Sequence, residues 1–357
     1  MLQLRGTLCE KSFIVALAAL AATASFAQSS VTIFGVADAA YTTAKTGGST
    51  INALTSGNQA TSRLGFRGEE DLGGGLKAGF WLEAQLNMDS GVGSATSTNN
   101  QASGLQASNG GFTFNRRSTV SLMGNFGEIR LGRDYTPQFW NLTVFDPFGT
   151  VGVGTNAMLV GIAGSQTAVR ASNSIGYLSP NVSGFQLQLQ TYMGENKSDI
   201  AAPADKKTGS GNGLRATYDN GPLSLAMASS STDTGVGTTW KANNLAGSYN
   251  LGVAKLMAQS STDKATGAAD IKGNLIGATV PMGAGTIKFS QSQTKQGDNK
   301  SDKTAIGYVY GLSKRTSLYA TYASVKNTGA AKMALGGTTG AAGVSSTGMD
   351  LGVTHSF

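Results

Sequence analysis

Apolar and polar side chains alternate in segment after segment along this chain, and that period of two limits the fold to extended sheet. In the stretch "GFQLQLQTYM", residues 184–193, Phe185, Leu187, Leu189, Thr191 and Met193 share one face of a strand. Gln186, Gln188, Gln190 and Tyr192 share the other. The pattern fits a soluble sheet with its leucines turned to a core. It fits equally a membrane barrel with its leucines turned to lipid and its glutamines to a wet lumen. Sixteen segments read as strands: 31–43, 60–70, 77–88, 115–125, 128–135, 171–179, 184–194, 211–219, 222–231, 240–250, 253–261, 271–280, 285–293, 303–312, 316–325 and 347–357. Most are close to the ~9–11 residues that a tilted transmembrane strand needs.

The connections separate the two readings. Short ones ("DLGGGL", "NFGE", "SPNVSG", "DNGP", "NLGV", "PMGAG", "LSKR") alternate with long ones at 44–59, 89–114, 136–170, 195–210, 232–239, 262–270, 294–302 and 326–346. A soluble sandwich has no reason to gather its long loops at one end. A transmembrane barrel does, with short turns on one side and longer loops on the other. The expectation is therefore an all-β, sixteen-stranded antiparallel transmembrane barrel, wide enough for an aqueous channel. On this reading the leucines face lipid.

Composition and the ends agree. Glycine is 50 of 357 residues and charged residues only 13%, about half the usual share. Arg5 and Lys11, the apolar run 13–22 and the small-x-small stretch 25–27 read as a secretory signal, with the barrel expected over 28–357. Cys9 falls inside that segment, so no disulfide is expected afterwards. The last segment, "GMDLGVTHSF", alternates to its final residue and ends on Phe357, the usual carboxyl end of outer-membrane barrels and a signal for their assembly.

Alternation also sorts the charged residues. Leu64 and Phe66 outward turn Arg63, Arg67 and Glu69 inward. Val120 and Leu122 outward bring Arg117 inward, and Ile129 and Leu131 do the same for Arg130. Arg170 opens the sixth segment. Arg63, Arg117 and Arg170 start alternate strands running from the long-loop end, so they form a basic ladder on one wall. Bracing of the wall is an equal alternative for Arg67 and Arg130. Lys77 and Arg133 sit near turns and read as rim or interface residues. Lys197, Lys206, Lys207, Lys295, Lys300 and Lys303 read as outer-loop charges.

The stretches "SSVTIFGVADAAY", "SRLGFRGEEDLGGGLKAGFWLE", "NRRSTVSLMGNFGEIRLGRDYTP", "ASNSIGYLSPNVSGF" and "GVTHSF" resemble general trimeric Gram-negative porins of the betaproteobacterial type. The resemblance implies three pores per trimer and a third loop folded into each pore as a constriction. It supports constriction roles for Arg63 and Arg117. It makes Asp146, in "VFDPFG" of the third loop, the candidate acid facing the arginines, with Glu69 a possible partner of that acid or of Arg67. Relatives often carry arginine before the tyrosine of "NSIRY", where this chain has Gly176. The implied function is a water-filled outer-membrane channel for ions and small hydrophilic solutes, anion-selective at the constriction. The implied partners are a homotrimer, outer-membrane lipids and lipopolysaccharide, and the barrel-assembly machinery through Phe357.

No cofactor, metal or nucleic acid is expected. The one histidine, His355, lies on the lipid-facing register, which removes the usual base of a barrel-borne hydrolase. A sugar-specific channel is the alternative, with Phe34, Trp81 and Tyr192 as inward aromatics. An adhesive role of the outer loops is a secondary possibility.

Overall fold

The computed structural model describes residues 30–106, 111–162, 165–201 and 205–357, so the expected signal segment and Cys9 lie outside the described residues. The alternating segments form one closed antiparallel barrel of sixteen strands. The first half comprises β1 (Ser30–Thr46), β2 in two pieces (Ser49–Ser56 and Arg63–Gly73), β3 (Leu76–Gln85), β4 (Arg117–Gly124), β5 (Gly127–Tyr135), β6 (Arg170–Leu178), β7 (Phe185–Tyr192) and β8 (Gly211–Asn220). The second half comprises β9 (Leu223–Gly235), β10 (Thr238–Asn250), β11 (Lys255–Ala265), β12 (Ile271–Met282), β13 (Gly285–Gln296), β14 (Asn299–Gly311), β15 (Thr316–Thr328) and β16 (Ser346–Ser356). Each strand pairs with the next, and β1 closes the ring against β16 from Val36↔Ser356 to Thr46↔Ser346. Closure leaves no edge, as a sheet requires where no water can satisfy its backbone.

The two faces divide as expected. In β7, Phe185, Leu187 and Leu189 are exposed on the outside, while Gln188, Gln190 and Tyr192 are buried within. Phe357 completes the seal: its backbone N–H and C=O both bond to Gly35 at 3.1 Å. A Cβ at Gly35 would collide with the Phe357 ring, so only glycine admits it.

The seven short turns are where the sequence puts them. Three of the expected long loops are hairpins instead, and a fourth is much shorter than expected. β1 runs to Thr46, turns at 47–48 and returns along Ser49–Ser56, where 44–59 reads as a loop. The expected loops 232–239 and 294–302 shrink to two-residue turns, with Gly237 and Gly297 at φ +64° and +58°. The loop 262–270 shrinks to five residues. Beyond the lipid belt both faces carry Ser, Thr, Asn, Lys and Asp, so the hydrophobic period stops while the hydrogen-bond ladder continues. Lys295 and Lys300 accordingly lie on strands. Lys303 is also a strand residue. It is buried on the inner face of β14 and donates its Nζ to the Thr155 carbonyl.

The third loop folds into the barrel as expected. It holds α1 (Pro137–Val144) and α2 (Ala157–Gly161); proline at the first turn of α1 removes an N–H that would have no helical partner. Asn156 caps α2, accepting from the Leu159 N–H at 2.9 Å. Alanines on the inner barrel face leave room for the loop's large side chains. Phe148 and Val153 pack with Ala44, Ala305 and Ala323, and Phe145 packs with Ala226 and Ala246. Leu142, Met158 and Ile162 bury against Leu275. Polar ties lock the loop: Asp350 accepts from the Val153 N–H at 2.8 Å, and Arg215 donates to Asn141 at 2.6 Å.

Candidate functional site

The lumen narrows between three surfaces: the wall of β3–β6, the third loop, and residues 57–62 where β2 leaves the sheet. Strand register determines what the wall carries. Arg117 lies opposite Glu83, Gln85 opposite Arg63, and Arg170 opposite Tyr135. The starts of β4 and β6 and the point where β2 rejoins the sheet thus come to nearly one height. Arg63, Arg117 and Arg170 line one cavity there, as the parity argument expects.

Two further residues join them. Arg116 also lines the cavity, although alternation from Val120 turns it outward. It lies before the first β4 residue, out of the pleat, and its N–H bonds to the Glu83 carbonyl at 3.1 Å. Its guanidinium binds the Glu83 carboxylate at 2.5 Å and the Tyr135 hydroxyl at 2.6 Å. Arg63 is 3.9 Å from the same carboxylate. Arg170 donates to Tyr135 at 2.8 Å and lies 4.3 Å from its ring centroid. Glu83 shares the inward register of Trp81, whose indole N–H bonds it at 3.1 Å, so parity could have found it. Nothing in the pattern marks Arg116 beyond the doubled arginine of "NRRS".

Arg117 lies lower, 4.6 Å over the Trp81 ring, with Asp134 at 3.7 Å and Glu128 at 3.9 Å. Arg130 is a brace, bonded to Asp134 at 2.6 Å and Glu128 at 2.8 Å. Arg67 is exposed below them, 5.3 Å from the Phe34 ring and 5.1 Å from Trp81, with no carboxylate within ion-pair distance among the described residues. Glu69 does not reach Arg67; it is exposed and 3.7 Å from Lys77 near the short-turn end. The Arg133 guanidinium donates to the Asn115 carbonyl at 2.6 Å and to Ser172 Oγ at 2.9 Å. Gly176 is buried on the inner face beside Arg130.

Asp146 does not face the arginines. It is 5% exposed and turned into its own loop. Its oxygens accept from the backbone N–H groups of Phe148 (2.9 Å), Thr150 (3.1 Å) and Asn156 (3.3 Å), and from the Asn156 side chain (3.0 Å). Burial pushes its carboxyl above the ordinary aspartate range, against the pull of the Phe148 and Thr150 N–H groups, the Asn156 side chain and the charge of Lys303. "DPFG" builds a tight turn, and the turn consumes the acid. What the third loop offers the pore is neutral: Trp140, Thr143, Thr150, Val151 and Leu159.

The third surface is held by another carboxylate. Asp38, fully buried on β1, accepts from the N–H groups of Asn58 (3.0 Å), Gln59 (3.1 Å) and Ala60 (2.9 Å). The Tyr319 hydroxyl bonds it at 2.6 Å. This clamp holds Gly57, Gln59, Ala60 and Thr61 against the opening.

A narrow eye lined by charged and polar side chains, in a closed sixteen-stranded barrel with a loop folded inside, is the build of a diffusion channel. A family model described as Gram-negative porin matches residues 15–330. The chain belongs to the Gram-negative porins. It is 40% identical to outer membrane porin protein 32 of Delftia acidovorans, over 97% of this chain and 100% of that one. An outer membrane porin protein of Bordetella pertussis is 30% identical over 77% of this chain and 79% of its own length. Among solved structures, an anion-selective porin from Comamonas acidovorans superposes with TM-score 0.80 at 38% identity, covering 92% of this chain and 100% of that chain. OmpT of Vibrio cholerae, at 14% identity and TM-score 0.65 over 92% and 99% of the two chains, shares the fold. This porin is therefore a general channel of the Gram-negative outer membrane.

Proposed function

We propose that this porin passes small anions in preference to cations, and that Arg63, Arg116, Arg117 and Arg170 make the preference. One observation carries the reading: among the described residues, four arginines and a single carboxylate, Glu83, line the eye. Asp146, the one acid between residues 136 and 169, is consumed inside the third loop. Charge of one sign on low-dielectric walls raises the local concentration of the opposite ion. Arg67, without a carboxylate partner among the described residues, extends the basic path below the eye, while Arg130 and Glu69 serve the wall. The similar porin of Comamonas acidovorans, which is anion-selective, supports the same assignment.

The working unit is a homotrimer. Supporting this, β1 presents exposed Val31 and Ile33 beside Gly35, Ala37 and Ala39 on its outer face, a surface two barrels in lipid can approach closely. Residues 1–27 act as the export signal, and Phe357 as the mark for barrel assembly. The protein performs no covalent chemistry. A sugar channel would need bare ring faces along its passage, whereas Trp81 and Tyr135 are covered by guanidinium groups.

The test is a planar bilayer with refolded protein across a KCl gradient. A reversal potential toward the chloride equilibrium value, with conductance steps in threes, is expected. A cation-directed potential from correctly folded protein would end the anion reading. Failure to conduct at all would end the channel reading.

A further inference from the structure

The third-loop side of the eye is apolar. The cavity there is about 610 Å³, and besides its arginines it meets Trp140, Val151, Leu159 and Val169, all half-buried. A path for hydrated inorganic ions gains nothing from such groups, because apolar constrictions resist wetting and raise the barrier to an ion that keeps its water.

The apolar groups sit beside the charge. Tyr135 joins the two: the Trp140 ring meets it edge-on at 4.9 Å between centroids, and the Arg170 guanidinium lies 4.3 Å from the same phenol ring. Leu159 and Val169 pack against the buried cluster around Leu142 and Met158, so what they show the cavity is the fixed edge of a core. The loop's polar groups are spent on the loop. The Thr143 and Thr150 hydroxyls bond to each other at 3.1 Å and to the Gly149 carbonyl at 3.0 and 2.5 Å.

The guanidinium groups keep N–H groups to spare. Among the described residues Arg63, Arg117 and Arg170 each donate one side-chain hydrogen bond, to the Thr61 carbonyl (3.3 Å), Thr119 Oγ1 (3.0 Å) and the Tyr135 hydroxyl (2.8 Å). A guanidinium has five donors, in a fork that matches a carboxylate. One cavity thus offers unspent carboxylate donors and a neutral apolar surface, and its volume is within the range that holds small organic molecules.

We propose that the eye is a binding site for small carboxylates with one apolar face, aromatic or saturated ring acids among them, and takes them up in preference to equally charged anions that are polar all round. The carboxylate meets the free guanidinium N–H groups, and the ring lies against Trp140, Val151 and Leu159. Covering about 60 Å² of apolar surface is worth roughly tenfold in binding. The inference rests on the anion reading and adds a substrate class to it.

The experiment uses a matched pair, cyclohexanecarboxylate and quinate, which carry one carboxylate on the same six-membered ring, the second with hydroxyl groups around it. Chloride current through refolded wild-type protein is recorded in a planar bilayer at rising concentrations of each, with cyclohexylmethanol as the uncharged control. Cyclohexanecarboxylate is expected to halve the current at a concentration about tenfold lower than quinate does, and the alcohol to leave it unaffected. The variant Trp140→Gln/Val151→Thr, with folding checked by gel mobility, should lose most of that difference, and Trp140→Phe should keep it. Equal potency of the two acids, block by the alcohol at the concentration where the acid blocks, or an undiminished difference in the Gln/Thr variant would overturn the proposal and leave the anion reading standing. A cation-directed reversal potential of the wild-type protein in KCl would overturn the anion reading and the proposal with it.

Discussion

Replacing Glu83 by glutamine tests the filter most directly. The substitution keeps the side chain's size and an acceptor oxygen for Arg116 and Trp81 but removes the one carboxylate of the eye. The net formal charge of its arginines and glutamate rises from +3 to +4. For a permeating ion ~8 Å from that carboxylate, at an effective dielectric constant of ~40–80, one unit charge is worth ~0.5–1 kcal/mol. The anion gains this energy and the cation loses it. The anion-to-cation permeability ratio should therefore rise by ~1–2 kcal/mol, about 5- to 30-fold, with the upper part of the range visible only at low salt. There is a stability cost. Arg116 and Glu83 are nearly buried and 2.5 Å apart, and weakening a buried charge-assisted pair costs ~1–3 kcal/mol. The Tyr135 hydroxyl still holds Arg116 at 2.6 Å, so the guanidinium should stay in the eye. The assay is reversal potential across a tenfold KCl gradient at 10–100 mM, on protein whose folded gel mobility matches wild type. A change below twofold, or any move toward cations, would refute the view that net charge at this height controls selection.

Three other substitutions separate the parts. Asp146→Asn should leave reversal potential unchanged, because the carboxylate points into its own turn; it should add current flicker and lower the midpoint of thermal unfolding, since an amide cannot accept four donors. A selectivity change matching that of Glu83→Gln would show instead that Asp146 acts on the permeating ion. Asp38→Ala should release residues 58–60 from their clamp and raise single-channel conductance at constant selectivity, whereas unchanged conductance would mean those residues do not shape the eye. Gly35→Val should block the seat of the Phe357 ring and lower the yield of folded barrel in refolding, which sodium dodecyl sulfate gel mobility measures; normal yield would mean the ring does not need that space.

The register of each strand was legible because alternation is a local property: Leu64 and Phe66 outward force Arg63 and Arg67 inward wherever the strand ends up. The same parity, followed one step further along β3 from Trp81 to Glu83, reaches the acid of the eye. Arg116 was not legible, because parity holds only inside a pleated strand and this residue stands just before one. The hairpin extensions at 44–59, 232–239 and 294–302 were hidden for a related reason. Outside the bilayer both strand faces meet water, so nothing in the side chains announces a ladder that backbone hydrogen bonds maintain.

Sequence alone was enough for the barrel, the strand number, the direction of each side chain in the lipid belt and the positions of Arg63, Arg117 and Arg170. All of these follow from a period of two, turn residues and the length of a membrane-spanning strand. Tertiary structure decided which carboxylates meet those arginines. Glu83 and Arg116 are thirty-three residues apart and touch only because β3 pairs with β4, while Asp146 is withdrawn by hydrogen bonds within its own loop. Charge selection depends on distances between side chains from different strands, and such distances exist only once the sheet has closed.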